Sequence, residues 1–325
     1  MTGGILVVTE QVRGEIAEIT YEMLGTARKI ADALNIPLYA VVFGKDVAPL
    51  TSQLGSADSV LIVEHPQLDM PSPEVVASLL KNLVEQRQVF LVLIGGTNVS
   101  MGIGAILSAR ANLPFVNFCR NVRVENGSII VTSQLFGGKI LADVRVPEDG
   151  GIISVYPGSF HPDAGKSERI PPVEVVEMSI EEPKVTFKWY LEPEVGDVDI
   201  TKHDILVSVG RAIQNVDNIA LAEKLAQLLR GAVSASRPVV DQGWLPLSRQ
   251  VGKSGMIVKP KLYLALGISG APEHVEGMQG AGLVVAINTD PNAPIFTVSH
   301  YGICGDLFDI LPLLTEEIRK RKEGG

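Results

Sequence analysis

The 325-residue chain is predicted to be an α/β protein of two parallel-sheet α/β domains, the first with an antiparallel extension. Three observations predict this. Short continuous runs of Val, Ile and Leu alternate with stretches of helical period, as expected for strands buried between two helical layers. From about residue 115 the apolar runs shorten and turn residues separate them, as in hairpins. After a charged stretch with several prolines and glycines over 158–203, the strand–helix alternation starts again.

The elements follow in order. Ile5 to Thr9 is a short apolar strand. Ile19, Met23, Ala27, Ile30, Ala31 and Leu34 place one apolar stripe on a helix over 16–34. Leu38 to Phe43 and Val60 to Val63 are strands. Val75, Val76, Leu79, Leu80 and Leu83 mark a helix over 75–84. Phe90 to Ile94 is a strand ending in Gly95–Gly96, and 102–111 is helical. Val122 to Glu125, Ile129 to Thr132, Asp143 to Val146 and Ile152 to Val155, with an Asn126–Gly127 turn, predict the antiparallel extension. Val185 to Leu191 is expected to add an edge strand. The domain boundary falls near 190–203, dividing the chain into 1–195 and 204–325, and the same stretch is expected to act as a hinge.

In the second half, Ile205 to Val209 is a strand and 216–229 an amphipathic helix with Leu221, Leu225, Leu228 and Leu229 inward. Leu262 to Leu266, Leu283 to Ile287 and Ile295 to Val298 are expected strands. A closing helix covers 307–321.

Composition excludes several classes. Hydrophobic residues at 46% and charged residues at 20% supply two cores and argue against disorder. A net charge of −9 disfavours nucleic acid and anionic membrane surfaces. The basic run Arg319 to Lys322 suits the last turn of a helix. Apolar runs such as Val89 to Ile94 are too short to span a bilayer, so an integral membrane protein is not expected. The opening MTGGILVVTE lacks a basic n-region and reads directly as a strand. Two distant cysteines, Cys119 and Cys304, show no metal spacing, and both suit a reducing, cytoplasmic compartment. Cys304 is expected to pack, and His65, His161, His203 and His300 to lie on loops. No nucleophile–base constellation for a catalytic site is evident.

Two GKS tripeptides, at 165–167 and 252–254, are not phosphate loops. Such a loop needs a glycine five positions before its second one, and Phe160 and Leu247 stand there. Gly102–Ile103–Gly104 is only a fragment of a dinucleotide fingerprint, since Leu107 breaks it. Gly267–Ile268–Ser269–Gly270 is different, because it follows a strand and leads through Ala271 to Pro272 at a helix start. Arg211, Ser236–Arg237, the 250–255 loop, and Asn288 with Asp290 also follow strands. In open α/β sheets ligands bind beyond the carboxyl ends of strands. On the residues alone, a nucleotide site and a set of ordinary turn formers both stand. His274, early in a helix beside the glycine turn, is either a satisfied buried histidine or a donor to a cofactor carbonyl.

Segments SASRPVVDQGW (234–244), RQVGKSG (249–255), KPKLYLALGISGAPEHVEGM (259–278), VVAINTDPNAPIF (284–296) and YGICGDLFDILPLLTEEI (301–318) occur in the order and spacing of one family. They resemble the α subunit of electron-transfer flavoproteins, the FixB family. QLFGGKILADV (134–144) and VYPGSFHP (155–162) resemble its N-terminal domain more loosely. The resemblance implies that the second domain is a Rossmann-like FAD-binding domain. It places Arg237 against the isoalloxazine, where a guanidinium favours the negatively charged reduced ring. Ser254 would hydrogen-bond flavin N5, and His274 would lie near the C2 carbonyl. Gln250, Val251 and Gly252 would line the ring pocket. Gly267, Ser269, Gly270 and Ala271 would surround the ribityl and phosphates, and Asn288, Asp290 and Asp306 the adenosine. Arg211 and Ser236 would make further contacts. Lys253 stands where Gln is common, and Ser254 where Thr is common. Val209, Glu273 and Thr289 also depart from the usual residues.

The resemblance further implies a non-covalent FAD and a smaller β subunit that completes a heterodimer and carries AMP. The expected role is a carrier between flavoprotein dehydrogenases, such as acyl-CoA dehydrogenases, and a quinone oxidoreductase or other acceptor. The alternative is an electron-bifurcating form, with a second FAD in the β subunit, that oxidises NADH and reduces ferredoxin or flavodoxin. An alternative of another class is a redox-inactive adenine-nucleotide-binding module.

Overall fold

The computed structural model describes residues 3–180, 182–189 and 198–323. The chain divides into two compact units, Met1–Trp189 and Tyr190–Gly325. The expected boundary and hinge stretch falls largely on 190–197, outside the described residues.

Unit 1 contains β1 (Ile5–Val8), a small hairpin of β2 (Gln11–Val12) and β3 (Glu15–Ile16), then α1 (Glu18–Leu34) and β4 (Leu38–Gly44). There follow β5 (Ser59–Glu64), α2 (Pro73–Arg87), β6 (Leu91–Gly95) and α3 (Ile103–Ala111). The unit finishes with β7 (Phe115–Glu125), β8 (Ser128–Leu135), β9 (Ile140–Arg145), β10 (Gly151–Val155) and β11 (Val173–Val175). Nine strands form one sheet in the order β11-β5-β4-β1-β6-β10-β7-β8-β9. α1 buries Met23, Leu24, Ala27 and Ala31 completely on one face of the sheet, and α2 buries Leu80 and Leu83 on the other. Each fully buried Leu or Met side chain contributes about 1.5–3 kcal/mol.

The antiparallel extension is β7–β8–β9, and Asn126 and Gly127 turn the first hairpin with φ of 50° and 75°. Positive φ at both central residues is what a right-twisted two-residue hairpin turn requires. Ile152 to Val155 corrects the expectation. This strand is not part of the antiparallel extension but inserts between β6 and β7, parallel to both. Its continuous buried run GIISV marks a strand covered on both faces. The first strand of the extension also begins seven residues earlier than expected, at Phe115. No strand forms over 185–189, and the remainder of the expected edge strand lies outside the described residues.

Unit 2 runs β12 (Ile205–Val209), α4 (Ile219–Leu229), β13 (Ala232–Ala235), α5 (Arg237–Asp241), β14 (Leu262–Leu266) and α6 (Pro272–Met278). It closes with β15 (Leu283–Asn288), β16 (Tyr301–Cys304) and α7 (Leu307–Glu323). The five strands are parallel in the order β13-β12-β14-β15-β16. The chain moves outward from β12 to β13, then crosses back to β14 on the other side of β12. That reversal is the topological switch point of the sheet. Period-two alternation sends Val207, Val209 and Leu264 to the face covered by α4 and α7, and Leu206, Tyr263 and Ala265 to the face covered by α6.

Ile295 to Val298 is not a strand. Pro294–Thr297 is a 3-10 turn whose Ile295 is fully buried and whose Ile295 N–H donates to Ser269 O at 3.0 Å. The fifth strand is Tyr301–Cys304, exposed throughout and interrupted in pattern by Gly302, which hid it from apolar periodicity. Cys304 is accordingly exposed rather than packed. α4 starts three residues later than expected, and its deepest residues are Ala222, Leu225 and Ala226. No helix among the described residues is long and apolar enough to cross a membrane.

Candidate functional site

A cleft of about 750 Å³ opens at the carboxyl ends of β12, β13, β14 and β15, where the sheet order reverses. Each strand end delivers part of its wall. β12 leads to Arg211 and Ala212, β13 to Ser236, Arg237 and Pro238, β14 to Gly267, Ile268, Ser269 and Ala271, and β15 to Asn288 and Asp290. Residues 250–254 of the loop after α5 form a further wall, and α6 contributes Glu273 and His274.

The turn after β14 is held by its neighbours. Gly267 N–H donates to Ile287 O at 2.8 Å, and Gly210 N–H to Leu266 O at 2.8 Å. Gly267 and Gly270 have φ of 63° and 85°, a conformation in which a Cβ is strained. The 250–255 loop is tied to the sheet by Val251 N–H donating to Ala235 O at 2.9 Å, and to α6 by Lys253 N–H donating to Glu273 O at 2.8 Å. Within it, Gln250 Nε2 donates to Ser254 Oγ at 3.1 Å.

Three cations, Arg237, Arg211 and Lys253, and two carboxylates, Glu273 and Asp290, give the cleft its charge character. Arg237 starts α5 with its side chain 70% exposed, its Nε 3.4 Å from Asp241 one turn on. Arg211 is also exposed. Lys253 Nζ lies 3.8 Å from Glu276 Oε2. A weakly paired, exposed guanidinium keeps most of its capacity to meet an anionic ligand.

His274 is 6% exposed. Its Nε2 lies 2.9 Å from the Tyr263 hydroxyl, and its buried Nδ1 has no well-formed hydrogen-bond partner. Burial drives its pKa down to about 4, while the Val251 backbone beside it pulls weakly the other way. The ring is therefore neutral at pH 7.

Of the residues predicted from sequence, Gly270 and Asp306 do not line the cleft; the others do. Gly270 packs backbone to backbone against Ile295. Asp306 precedes α7 and accepts the Phe308 N–H at 2.8 Å. Asn288 is spent partly on the fold, donating to Ile268 O at 2.9 Å and accepting the Asp290 N–H at 3.0 Å. Sequence reading did not select Ala212, Pro238, Ile268, Ala293 or Pro294 of the wall. It also passed over the buried hydroxyls of Ser208, Ser234 and Tyr263. Their only signal is a serine alternating with valine or alanine inside a strand.

The residues fit a flavin dinucleotide. The cleft has the volume for a large ligand, glycine backbone on one wall, guanidinium groups at its mouth and a buried imidazole. Sheet topology and cleft together define a nucleotide-cofactor-binding α/β domain. Residues 5–181 match the electron transfer flavoprotein domain, and residues 199–279 match the electron transfer flavoprotein FAD-binding domain. The chain belongs to the electron transfer flavoprotein family, in its α-subunit branch, and carries that FAD-binding domain. It is 36% identical to the electron transfer flavoprotein subunit alpha of Thermoanaerobacterium thermosaccharolyticum, over 98% of both chains. It is 35% identical to protein FixB of Azotobacter vinelandii, over 98% of this chain and 91% of the relative. It is also 29% identical to the lactate dehydrogenase (NAD(+),ferredoxin) subunit LctC of Acetobacterium woodii, over 96% of this chain and 76% of the relative.

Proposed function

We propose that this chain is the α subunit of a heterodimeric electron carrier and that the cleft at the switch point of unit 2 holds its FAD. The observation that carries the assignment is the convergence of Arg237, Ser254 and His274 on one cleft with the Gly267–Ala271 turn. A bare adenine nucleotide has no use for a ring-facing guanidinium, hydroxyl and imidazole, so the redox-inactive module is the weaker reading.

FAD supplies the redox chemistry when bound. The chain's own residues orient it and set the charge around it. Arg237 and Arg211 meet negative charge at the cleft mouth. Ser254, held by Gln250, presents a hydroxyl to the ring. Val251 and Gly252 exclude water from one wall, and His274 offers a neutral imidazole from the interior. Asn288 and Asp290 serve the nucleotide end, while Gly270 acts by positioning the turn. Asp306, outside the cleft, is assigned to the same end through the start of α7.

The partner is a β-type subunit, with flavoprotein dehydrogenases as donors and a quinone oxidoreductase as acceptor. Relatives include LctC, whose name records NAD(+) and ferredoxin, which keeps the bifurcating form as the second reading. Co-expression with its β-type partner tests the reading. One FAD and one AMP per heterodimer, with reduction by an acyl-CoA dehydrogenase, is the expected result. Two FAD with NADH oxidation and ferredoxin reduction would assign the bifurcating role instead. A colourless complex that binds only AMP would reject flavin binding.

A further inference from the structure

Beneath the cleft lies a set of hydroxyls that line no part of it. Tyr263 on β14, Ser208 on β12 and Ser234 on β13 are fully buried, and all three point to the sheet face covered by α6. The Tyr263 hydroxyl is 2.7 Å from Ser208 Oγ and 2.9 Å from His274 Nε2. Ser234 also bears on the phenol and has no other partner among the described residues. Three polar side chains buried in one patch of an otherwise apolar layer call for a reason beyond packing, because each costs free energy unless it is paired.

Two assignments suit the neutral ring: Nε2–H donating to a phenol whose own proton goes to Ser208 Oγ, or Nδ1–H beside the Val251 backbone with the phenol donating to Nε2. The Val251 backbone beside His274 favours a proton on the imidazole. In the second assignment, where Nδ1–H faces the Val251 backbone, Nε2 accepts and the tyrosine donates to it. The phenol oxygen then accepts from a serine hydroxyl, which gives Ser208 or Ser234 its partner. The same set also accommodates a charged ring. Nε2–H then donates to the phenol oxygen, and the phenol proton turns to Ser208.

We propose that Tyr263, backed by Ser208 and Ser234, is a positioning residue that fixes the tautomer of His274 and lets the ring hold an added proton, exchanged with solvent, when negative charge enters the cleft. This rests on the reading that the cleft takes FAD. Charged groups on the surrounding elements are Glu273 and Glu276 of α6, Arg249 and Lys253 of the loop, and Arg237 and Asp241 of α5. None of them acts on the ring as strongly as burial and the Val251 backbone.

The test is Tyr263→Phe, which keeps the aromatic packing, with Ser208→Ala as a milder companion. Imidazole nitrogen NMR on the full chain, with His274→Gln to assign the signal, reads the tautomer with or without FAD. Potentiometry on the FAD-loaded heterodimer reads the consequence. The expected result is an Nδ1–H ring in wild type, loss of that single tautomer in Tyr263→Phe, and a lower flavin potential. The expected fall corresponds to about a tenfold weaker preference for the reduced ring, about 60 mV for one electron. An Nε2–H ring in wild type, identical His274 signals in the two proteins, or an altered tautomer with an unchanged potential would each overturn the proposal. A wild-type heterodimer without flavin would instead defeat the assignment of the cleft, and the NMR comparison would still decide the role of Tyr263.

Discussion

Gly270 and Ile295 meet backbone to backbone: a Cβ added to Gly270 would overlap the Ile295 amide nitrogen. The same amide is hydrogen-bonded to Ser269 O, so it cannot move away without opening the turn. The glycine turn after β14 is thus held from behind by the 3-10 turn at 294–297.

Gly270→Ala is therefore expected to destabilise unit 2. The positive φ of 85° and the overlap act together. Strain of this backbone conformation and overpacking together cost about 2–4 kcal/mol. Urea unfolding of the two proteins measures it. A change below about 1 kcal/mol would mean the turn relaxes freely.

Acidification should weaken the apoprotein through His274. The folded-state pKa of about 4 lies below the ordinary histidine value of 6.5, so the unfolded chain binds the proton first. The contribution is intact above pH 6.5 and is lost as pH falls from there to 4, up to about 3 kcal/mol. Unfolding free energies of wild type and His274→Gln, compared between pH 7 and pH 4, check this. The wild-type curve should be the steeper, and parallel curves would refute the buried neutral imidazole.

Arg237→Ala should leave folding nearly untouched, since its ion pair with Asp241 is exposed and such pairs contribute about 0.3–0.5 kcal/mol. Bound flavin should become harder to reduce, by about 60–120 mV for one electron, equivalent to a ten- to hundredfold loss of preference for the reduced ring. Potentiometry separates the two effects. An unchanged potential would move Arg237 from the ring to a docking role.

Unit 1 offers a purely structural case. Glu22, on the inward side of α1 and 3% exposed, accepts Gly158 N–H at 2.8 Å and Phe160 N–H at 3.0 Å. Glu22→Ala would strand both donors and cost about 2–6 kcal/mol by unfolding, because each buried unsatisfied group costs about 1–3 kcal/mol. Glu22→Gln, which keeps one carbonyl acceptor, should lose roughly half of that.

Local sequence carried the fold class because alternation is a local property. The runs ILVV, LVLI and LYLAL are strands in any parallel sheet, and the stripe from Ile19 to Leu34 is a helix wherever it packs. The cleft residues were legible for a related reason: strand ends of a parallel sheet converge, so Arg211, Arg237, Ser269 and Asn288 share one rim. Partner choice was not legible. Whether Ile152 to Val155 pairs parallel or antiparallel depends on which strands lie beside it, and Ile295 is a turn residue because Gly270 leaves room for its backbone. Tyr263 and His274 look unremarkable eleven positions apart. Only the α6 face of the sheet brings phenol and imidazole to 2.9 Å, since hydrogen-bond partners across a core are set by packing and not by spacing along the chain.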